Sequence, residues 1–242
     1  MNKTTNVKDT STFFLPSRGG GKEEGNSRSS RIAPRVSRLT PQVYYPVFLN
    51  LKGKDAVVIG GGKVAQRKVL ALLRAGANIT VISPEITKRI EKEKLKGRIK
   101  HIPRQYRKGD NKNATLVIAA TDSREVNKKV SEEAPCLVNV VDCPFLCNFI
   151  VPSVIQRGFL TIAISTSGVS PALSKSIRKE LEKRYDHEFA EYLRLLEKIR
   201  GQAMRKIRDK KKRAKFFKNL ASEEMLKMLR QKGFEEVEKV LL

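Results

Sequence analysis

The sequence predicts an α/β fold: a parallel β-sheet covered by helices, then a small α+β region and a helical C-terminal region. Three observations predict it. A run of β-branched residues from Val57 to Ile59 ends in three consecutive glycines, and an amphipathic helical pattern follows at once. Up to residue 141, strand-like apolar runs alternate with charged helical patterns, which is typical of parallel sheets. From Tyr185 onward the pattern is helical.

The glycine turn matches the fingerprint of a Rossmann-type dinucleotide-binding domain. Gly60, Gly62 and Ala65 fit the pattern G-x-G-x-x-G/A, in which the glycines permit a tight turn and close approach to a pyrophosphate. The pyrophosphate is expected at the helix N-terminus, which attracts anions. The expected cofactor-binding residues of this turn are Gly60, Gly61, Gly62, Lys63, Val64 and Ala65. A purely structural turn is the alternative.

Composition limits the class of protein. A chain of 242 residues can bury a sizeable core, and its apolar runs are too short to span a bilayer. No signal-peptide-like segment is visible, and three cysteines do not suit a disulfide framework, so we expect a cytoplasmic protein that does not enter membranes. The net charge of +25 predicts attraction to nucleic acid, an anionic membrane surface or a substrate with many carboxylates.

Four regions are expected along the chain. Residues 1–40 are rich in Ser, Gly, Lys and Arg without apolar periodicity, which predicts a disordered basic extension, with a targeting segment as the alternative. Residues 41–148 form the NAD-binding domain. Residues 149–184 form the small α+β region, and residues 185–242 the helical C-terminal region.

The order of elements follows from the same patterns. After the first strand and a helix that ends at Gly76, we expect strands at 79–82, 99–106, 115–120 and 137–141 and helices at 85–95 and 123–133. Ser170 and Pro171 suit the N-cap and first position of a helix that runs to about Lys183. An apolar stripe at 189–199, a basic run at 205–213 and a final helix from about Ser222 follow.

The end of the second strand bears on the choice of cofactor. NAD-binding domains usually carry an acidic residue there, but this sequence reads Ser83-Pro84-Glu85. Ser83 can hydrogen-bond a ribose hydroxyl, whereas Lys88 and Arg89 can meet a 2′-phosphate. The residues alone therefore leave NAD and NADP both open.

A second stretch on the cofactor side follows the fourth strand. Thr121 and Asp122 lie where nucleotide-binding folds contact the adenosine. A capping box formed by Asp122 and Glu125 explains the same residues equally well.

The carboxyl end of the fifth strand carries a candidate acid or base, Asp142. Open α/β sheets bind ligands at this edge, although an Asp near a proline is also ordinary turn chemistry. The hydroxyl residues 165–167 precede the last sheet-associated helix and suit either a polar turn or an anion site.

A metal site is not expected. Cys143 and Cys147 lack a second pair of ligands, and the two histidines, His101 and His187, lie on a predicted strand and in a charged helix.

Four segments together resemble the precorrin-2 dehydrogenase family, the N-terminal region of sirohaem synthases. They are VVIGGGKVAQRKVLALLRAGANITVISPE, VIAATDSREVNKKV, NVVDCPFLCNFIVPS and AISTSGVSPALSKSIRKELE, within residues 44–200. The resemblance implies NAD-dependent oxidation of precorrin-2 to sirohydrochlorin and, in some members, insertion of ferrous iron (Fe2+). It also implies a homodimer joined through the 149–184 region, and a helical region near the tetrapyrrole.

The resemblance assigns roles to individual positions. The glycine loop and Thr121-Asp122 match cofactor-side elements, and Asp142 matches the catalytic aspartate. The residues expected to bind substrate are Ser165, Thr166, Ser167 and Ser170. Asn148 departs from the Asp of many relatives and has no assigned role. No methyltransferase pattern follows, so we do not expect a complete three-step sirohaem synthase.

Two other functions stay open. One is a chelatase without dehydrogenase activity. The other is a nucleotide-sensing or RNA-binding protein on a Rossmann scaffold, suggested by the net charge and the basic run at 205–213. Nucleic-acid binding is not the expected function, because the sequence shows no known nucleic-acid module.

Overall fold

A five-stranded parallel sheet forms the centre of the computed structural model, which describes residues 43–241. Its strands are Asp55–Ile59 (β1), Asn78–Ile82 (β2), Ile99–Ile102 (β3), Leu116–Ala119 (β4) and Leu137–Val140 (β5). The order β3-β2-β1-β4-β5 is that of a Rossmann-type sheet, so the predicted fold class is confirmed. The predicted disordered extension at 1–40 lies outside the described residues.

Helices cover both faces of this sheet. They are Lys63–Arg74 (α1), Lys88–Leu95 (α2) and Arg124–Glu133 (α3). Successive residues of β1 face opposite sides: Val58 packs in the cluster that contains α1, and Val57 packs in the cluster that contains α3. Both are buried, which explains why β1 is a continuous apolar run and not an alternating one.

Local chemistry moves several element boundaries from their predicted positions. The third strand ends at Ile102 and not at residue 106, because Pro103 has no N–H to continue the ladder. The helix predicted at 85–95 begins only at residue 88, after Thr87, whose hydroxyl accepts a hydrogen bond from the Ile90 N–H. Of the two interpretations left open for Thr121 and Asp122, the capping box with Asp122 as N-cap is wrong, because Ser123 caps α3.

A hairpin and a helix form the small region that follows. The strands Ser153–Arg157 (β6) and Leu160–Ile164 (β7) pair antiparallel, and the helix Pro171–Arg184 (α4) packs against them. Ser170 caps α4 as predicted, since its hydroxyl accepts from the Leu173 N–H. Several large apolar side chains in or beside this region are exposed, namely Val151, Val154, Phe159, Val169 and Leu173. The boundaries at 148 and 184 stay predictions.

The C-terminal region contains four helices. They are His187–Lys206 (α5), Lys210–Leu220 (α6), Glu223–Lys232 (α7) and Phe234–Leu241 (α8). The basic run at 205–213 is split, because α5 ends and the Asp209 carboxylate caps α6. The predicted final helix is two helices, because Gly233 adopts φ 85° and ends α7. Within residues 43–241, none of the helices is long and apolar enough to cross a membrane.

Gly201→Ala is expected to stabilise α5. Gly201 is exposed inside this helix, and an added Cβ would meet nothing within 4 Å. Because alanine favours a helix over glycine by roughly 1 kcal/mol, the melting temperature should rise by about 2–4 °C. Thermal unfolding followed by circular dichroism measures it. The control is Gly97→Ala, which also meets open space but at φ 68°, and should lower the melting temperature. A lower melting temperature for Gly201→Ala would contradict a continuous α5.

Candidate functional site

Two clefts open at the carboxyl edge of the sheet. The first, called the nucleotide cleft, has a volume of about 690 Å³ and lies at the ends of β1, β2 and β4. The predicted cofactor residues that line it are Gly60, Gly61, Gly62, Ser83, Thr121 and Asp122. Three others lie elsewhere: Val64 lines the second cleft, Lys63 lines a neighbouring groove, and Ala65 is fully buried in the core.

The three positions of the turn carry glycine for different reasons. Gly60 has φ 110°, and a Cβ there would lie 2.3 Å from the Ala120 carbonyl oxygen. A Cβ at Gly61 would lie 1.8 Å from the Glu85 carbonyl oxygen. The neighbouring backbone therefore requires glycine at positions 60 and 61. Gly62 has φ −74° and open space around its Cβ position, so the folded chain itself does not require glycine there.

The N-terminus of α1 is suited to an anion. Side chains cap α2 and α3, but within the described residues no side chain caps α1 at Gly62. No acidic residue lies in the first turn of α1, which begins with Lys63. The first N–H groups of this helix therefore face the nucleotide cleft with their partial positive charge uncompensated. This arrangement fits a pyrophosphate.

Two residues that follow β2, Ser83 and Glu85, line the nucleotide cleft. Ser83 is buried, and its carbonyl oxygen lies 2.9 Å from His101 Nε2. Glu85 also lines the cleft, two residues later; the sequence analysis named this residue but assigned it no cofactor role. The proposed 2′-phosphate partners, Lys88 and Arg89, line a separate groove and not the nucleotide cleft.

Thr121 is fixed by a buried asparagine that sequence reasoning missed. Asn127 Oδ1 accepts from the Thr121 backbone N–H at 3.2 Å and from its hydroxyl at 2.8 Å. Asn127 Nδ2 donates to the Thr121 carbonyl at 2.9 Å. The signal was present in the sequence, because residues 127 and 130 share the buried face of α3 and a polar residue there needs a partner.

Asn127→Ala is expected to weaken NAD binding by loosening this loop. The substitution removes both partners of the Thr121 backbone, which should lower the free energy of unfolding by about 1–3 kcal/mol. Urea unfolding and NAD titration measure the two effects. As a control, Asn78→Ala removes an amide at the amino end of β2, where Nδ2 contacts the Gly53 carbonyl, and should leave NAD affinity unchanged. Equal NAD affinity in wild type and Asn127→Ala would contradict the positioning role.

The second cleft contains the predicted catalytic residue and is called the Asp142 cleft. Its volume is about 390 Å³, and α1, the loop after β5 and the loop after β7 form its walls. Asp142, Ser165, Thr166 and Ser167 line it, as do the α1 residues Val64, Arg67 and Lys68. Sequence reasoning placed Asp142 at this edge but did not bring the two α1 cations to it.

Two residues of the Asp142 cleft have a left-handed backbone. Asp142 has φ 57° and Ser167 has φ 51°, and they are the only non-glycine residues with positive φ among residues 43–241. Such a backbone is uncommon outside glycine and costs on the order of 1 kcal/mol or more, with Asp and Asn tolerated best. Strain of this kind concentrates at functional sites, and here both instances border one cavity.

The hydroxyl residues after β7 are mostly engaged with their own loop. Ser165 Oγ accepts from the Ser167 N–H at 3.0 Å, and Thr166 Oγ1 accepts from the Ser170 N–H at 3.1 Å. Ser170 caps α4 and does not line the cleft. Among the described residues, the Ser167 hydroxyl has no hydrogen-bond partner, so it is the one most available to a ligand.

The Cys147 thiol, near Asp142, is held by the backbone of its own loop. Cys147 Sγ accepts from the Val140 N–H at 3.1 Å, and burial raises the pKa of this thiol. Cys143 and Cys147 are free thiols. The described part of the chain contains no group of three or more His, Cys, Asp or Glu residues that suits a metal ion.

Comparisons with known proteins agree on one family. A model described as putative NAD(P)-binding matches residues 47–153, and a model described as sirohaem biosynthesis protein central matches residues 157–184. The siroheme synthase of Methylobacillus flagellatus is 44% identical over 57% of this chain and 30% of its own length. That of Thioalkalivibrio sulfidiphilus is 39% identical over 73% of this chain and 37% of its own length. The chain thus spans about a third of these relatives.

One solved structure matches a greater share of this chain and of its own length than these relatives do. The structure titled "SirC, precorrin-2 dehydrogenase" is 29% identical, with a TM-score of 0.69 over 81% of this chain and 100% of that one. Both the nucleotide cleft and the Asp142 cleft lie within the residues that the two family models cover or border.

Proposed function

This chain belongs to the precorrin-2 dehydrogenase family of sirohaem biosynthesis, and on that premise we propose that it oxidises precorrin-2 to sirohydrochlorin with NAD. One observation carries the proposal: helix α1 borders both clefts. Gly62 at its start lines the nucleotide cleft, and Val64 and Lys68, two and six residues later, line the Asp142 cleft. In this proposal the hydride acceptor and the proton acceptor bind in two clefts that border the same helix.

The nucleotide cleft fits a dinucleotide. When bound, NAD supplies the hydride acceptor. Gly62 leaves room for close approach, and the uncapped α1 N-terminus suits the pyrophosphate. Glu85 in the lining favours NAD over NADP, because an acidic residue near the ribose would repel a 2′-phosphate, and the cations Lys88 and Arg89 line another groove.

The Asp142 cleft supplies the acid–base chemistry. Oxidation of precorrin-2 to sirohydrochlorin removes one hydride and one proton from the macrocycle. Asp142 is the one acidic residue that lines this cleft among the described residues, which supports assigning it the role of proton acceptor. The Ser167 hydroxyl has no hydrogen-bond partner in the described chain, which supports a role in hydrogen-bonding the substrate.

The direct test mixes the purified protein with precorrin-2 and NAD without oxygen, and follows NADH and the sirohydrochlorin spectrum together. We expect both to rise in equal amounts, with NADP as a much poorer cofactor. Folded protein that yields neither product would refute the proposal.

Insertion of ferrous iron is a second candidate function. It requires removal of two pyrrole protons, and the same Asp142 carboxylate is the available base in this cleft. Iron is here a substrate. The test compares the rate of sirohaem formation from sirohydrochlorin and Fe2+ with and without the protein; equal rates would leave the chain a dehydrogenase alone.

A homodimer is proposed from the exposed apolar side chains around β6 and α4. Val154 and Leu173 are 43% and 51% exposed, and neighbouring apolar residues are exposed as well. Patches of this kind mark protein–protein interfaces. Light scattering should give twice the monomer mass, and a monomer at micromolar concentration would contradict the proposal.

A further inference from the structure

We propose that Lys68 and Arg67 form a carboxylate-binding subsite in the Asp142 cleft, which orients the tetrapyrrole by its acidic side chains. The inference rests on the proposed function, because it assigns the subsite to the substrate of that reaction. Neither residue was among the positions expected from the sequence to bind substrate.

The geometry of α1 brings these two cations to the cleft. Positions 64, 67 and 68 are spaced three and four residues apart and therefore share one face of the helix. All three line the Asp142 cleft, whereas Ala65, Val69 and Leu72 on an adjoining face are buried against the sheet. The amphipathic pattern of α1 thus separates a core face from a basic face that borders the cavity.

These two cations form no salt bridge within the described residues. No carboxylate in the described chain forms an ion pair with Lys68 or Arg67. Burial lowers the pKa of Lys68, and the charge of Arg67 lowers it further, while Cys147 and Asp142 act in the opposite direction. A partly buried ammonium beside a guanidinium is unfavourable unless an anion neutralises it. Asp142 attracts Lys68 through its charge but forms no ion pair with it, so a carboxylate supplied by a ligand would stabilise both cations further.

The arrangement favours a ligand with several carboxylates. An arginine can bind a carboxylate through two parallel hydrogen bonds, and a lysine acts as a compact point charge. Arg67 also lines the neighbouring groove, together with Lys63, Lys88 and Arg89, and no acidic residue lines that groove. Carboxylates that extend beyond the Asp142 cleft would therefore meet further positive charge. Precorrin-2, with eight carboxylates, has this character.

The alternative is that Lys68 and Arg67 bind the pyrophosphate of NAD. Kinetic measurements distinguish this alternative from carboxylate binding. Lys68→Gln and Arg67→Gln should each raise the KM for precorrin-2 about 10-fold, since a charged hydrogen bond contributes roughly that much. The KM for NAD should stay within twofold. Lys68→Arg should retain most of the wild-type affinity. The control is Lys92→Gln, an exposed cation of α2 that lines neither cleft and should change neither KM.

A binding measurement tests the subsite without turnover. Sirohydrochlorin is titrated into the protein in the absence of NAD, at low and high NaCl. Wild type should bind about 10-fold more tightly than Lys68→Gln at low salt, and the difference should shrink at high salt because of screening. Equal affinities, or a KM for NAD that rises as much as that for precorrin-2, would overturn the subsite. Wild-type protein that binds sirohydrochlorin but does not oxidise precorrin-2 would refute the proposed function instead.

Discussion

Asp142→Asn is expected to lower the turnover of precorrin-2 oxidation by about 10²- to 10⁴-fold. The amide keeps the shape of the side chain but cannot accept the proton that the macrocycle loses. NAD affinity should not change, because Asp142 lines the other cleft.

The choice of asparagine follows from the backbone. Asp142 has φ 57°, a conformation that Asn tolerates and that strains Ala. Asp142→Ala should therefore lose turnover to the same extent and also melt at a lower temperature, whereas Asp142→Asn should melt like wild type. Stopped-flow detection of NADH and thermal unfolding measure the two effects. Wild-type turnover in Asp142→Asn would remove the catalytic assignment.

Gly61→Ala and Gly62→Ala change adjacent residues but should impair different properties. The first should lower the stability of the fold, and the second should weaken NAD binding. A Cβ at Gly61 would overlap the Glu85 carbonyl oxygen at 1.8 Å, and backbone cannot move aside as a flexible side chain can. We expect the free energy of unfolding to fall by about 3 kcal/mol. Gly62→Ala meets open space at φ −74° and should unfold like wild type.

The loss in Gly62→Ala should appear in cofactor binding. Its methyl group would occupy the place where the backbone approaches the pyrophosphate, so the Kd for NAD should rise at least about 10-fold. Calorimetric titration of NAD measures the Kd. Two results would count against this reading of the turn: unchanged NAD affinity in Gly62→Ala, or wild-type stability in Gly61→Ala.

The sheet and its glycine turn could be predicted because their signals are local. The apolar run of β1, the glycines and the helical spacing of α1 lie within twenty residues and agree with one another. Asp142 could be placed at the functional edge because the carboxyl ends of all parallel strands meet there. The Ser170 cap of α4 could be predicted because it too is a local signal: an N-cap contacts only the first turn of its own helix.

What could not be predicted depends on contacts between distant segments or on small energy differences. Lys68 meets the Asp142 cleft only after α1 has packed on the sheet, and more than seventy residues separate the two in sequence. Helix α3 begins one residue later than expected because Ser123 and Asp122 are both good caps. The break at Gly233 was missed because a single glycine inside a helical pattern is often tolerated.

The left-handed backbone at Asp142 and Ser167 also bears on how this protein can be engineered. Glycine at either position would relieve the strain, so a library sorted for thermal resistance alone would enrich glycine at residues 142 and 167. Such selection would discard the carboxylate and the unpartnered hydroxyl of the Asp142 cleft. Stability and activity thus favour different amino acids at residues 142 and 167, so a screen for stable variants of this chain must measure both properties.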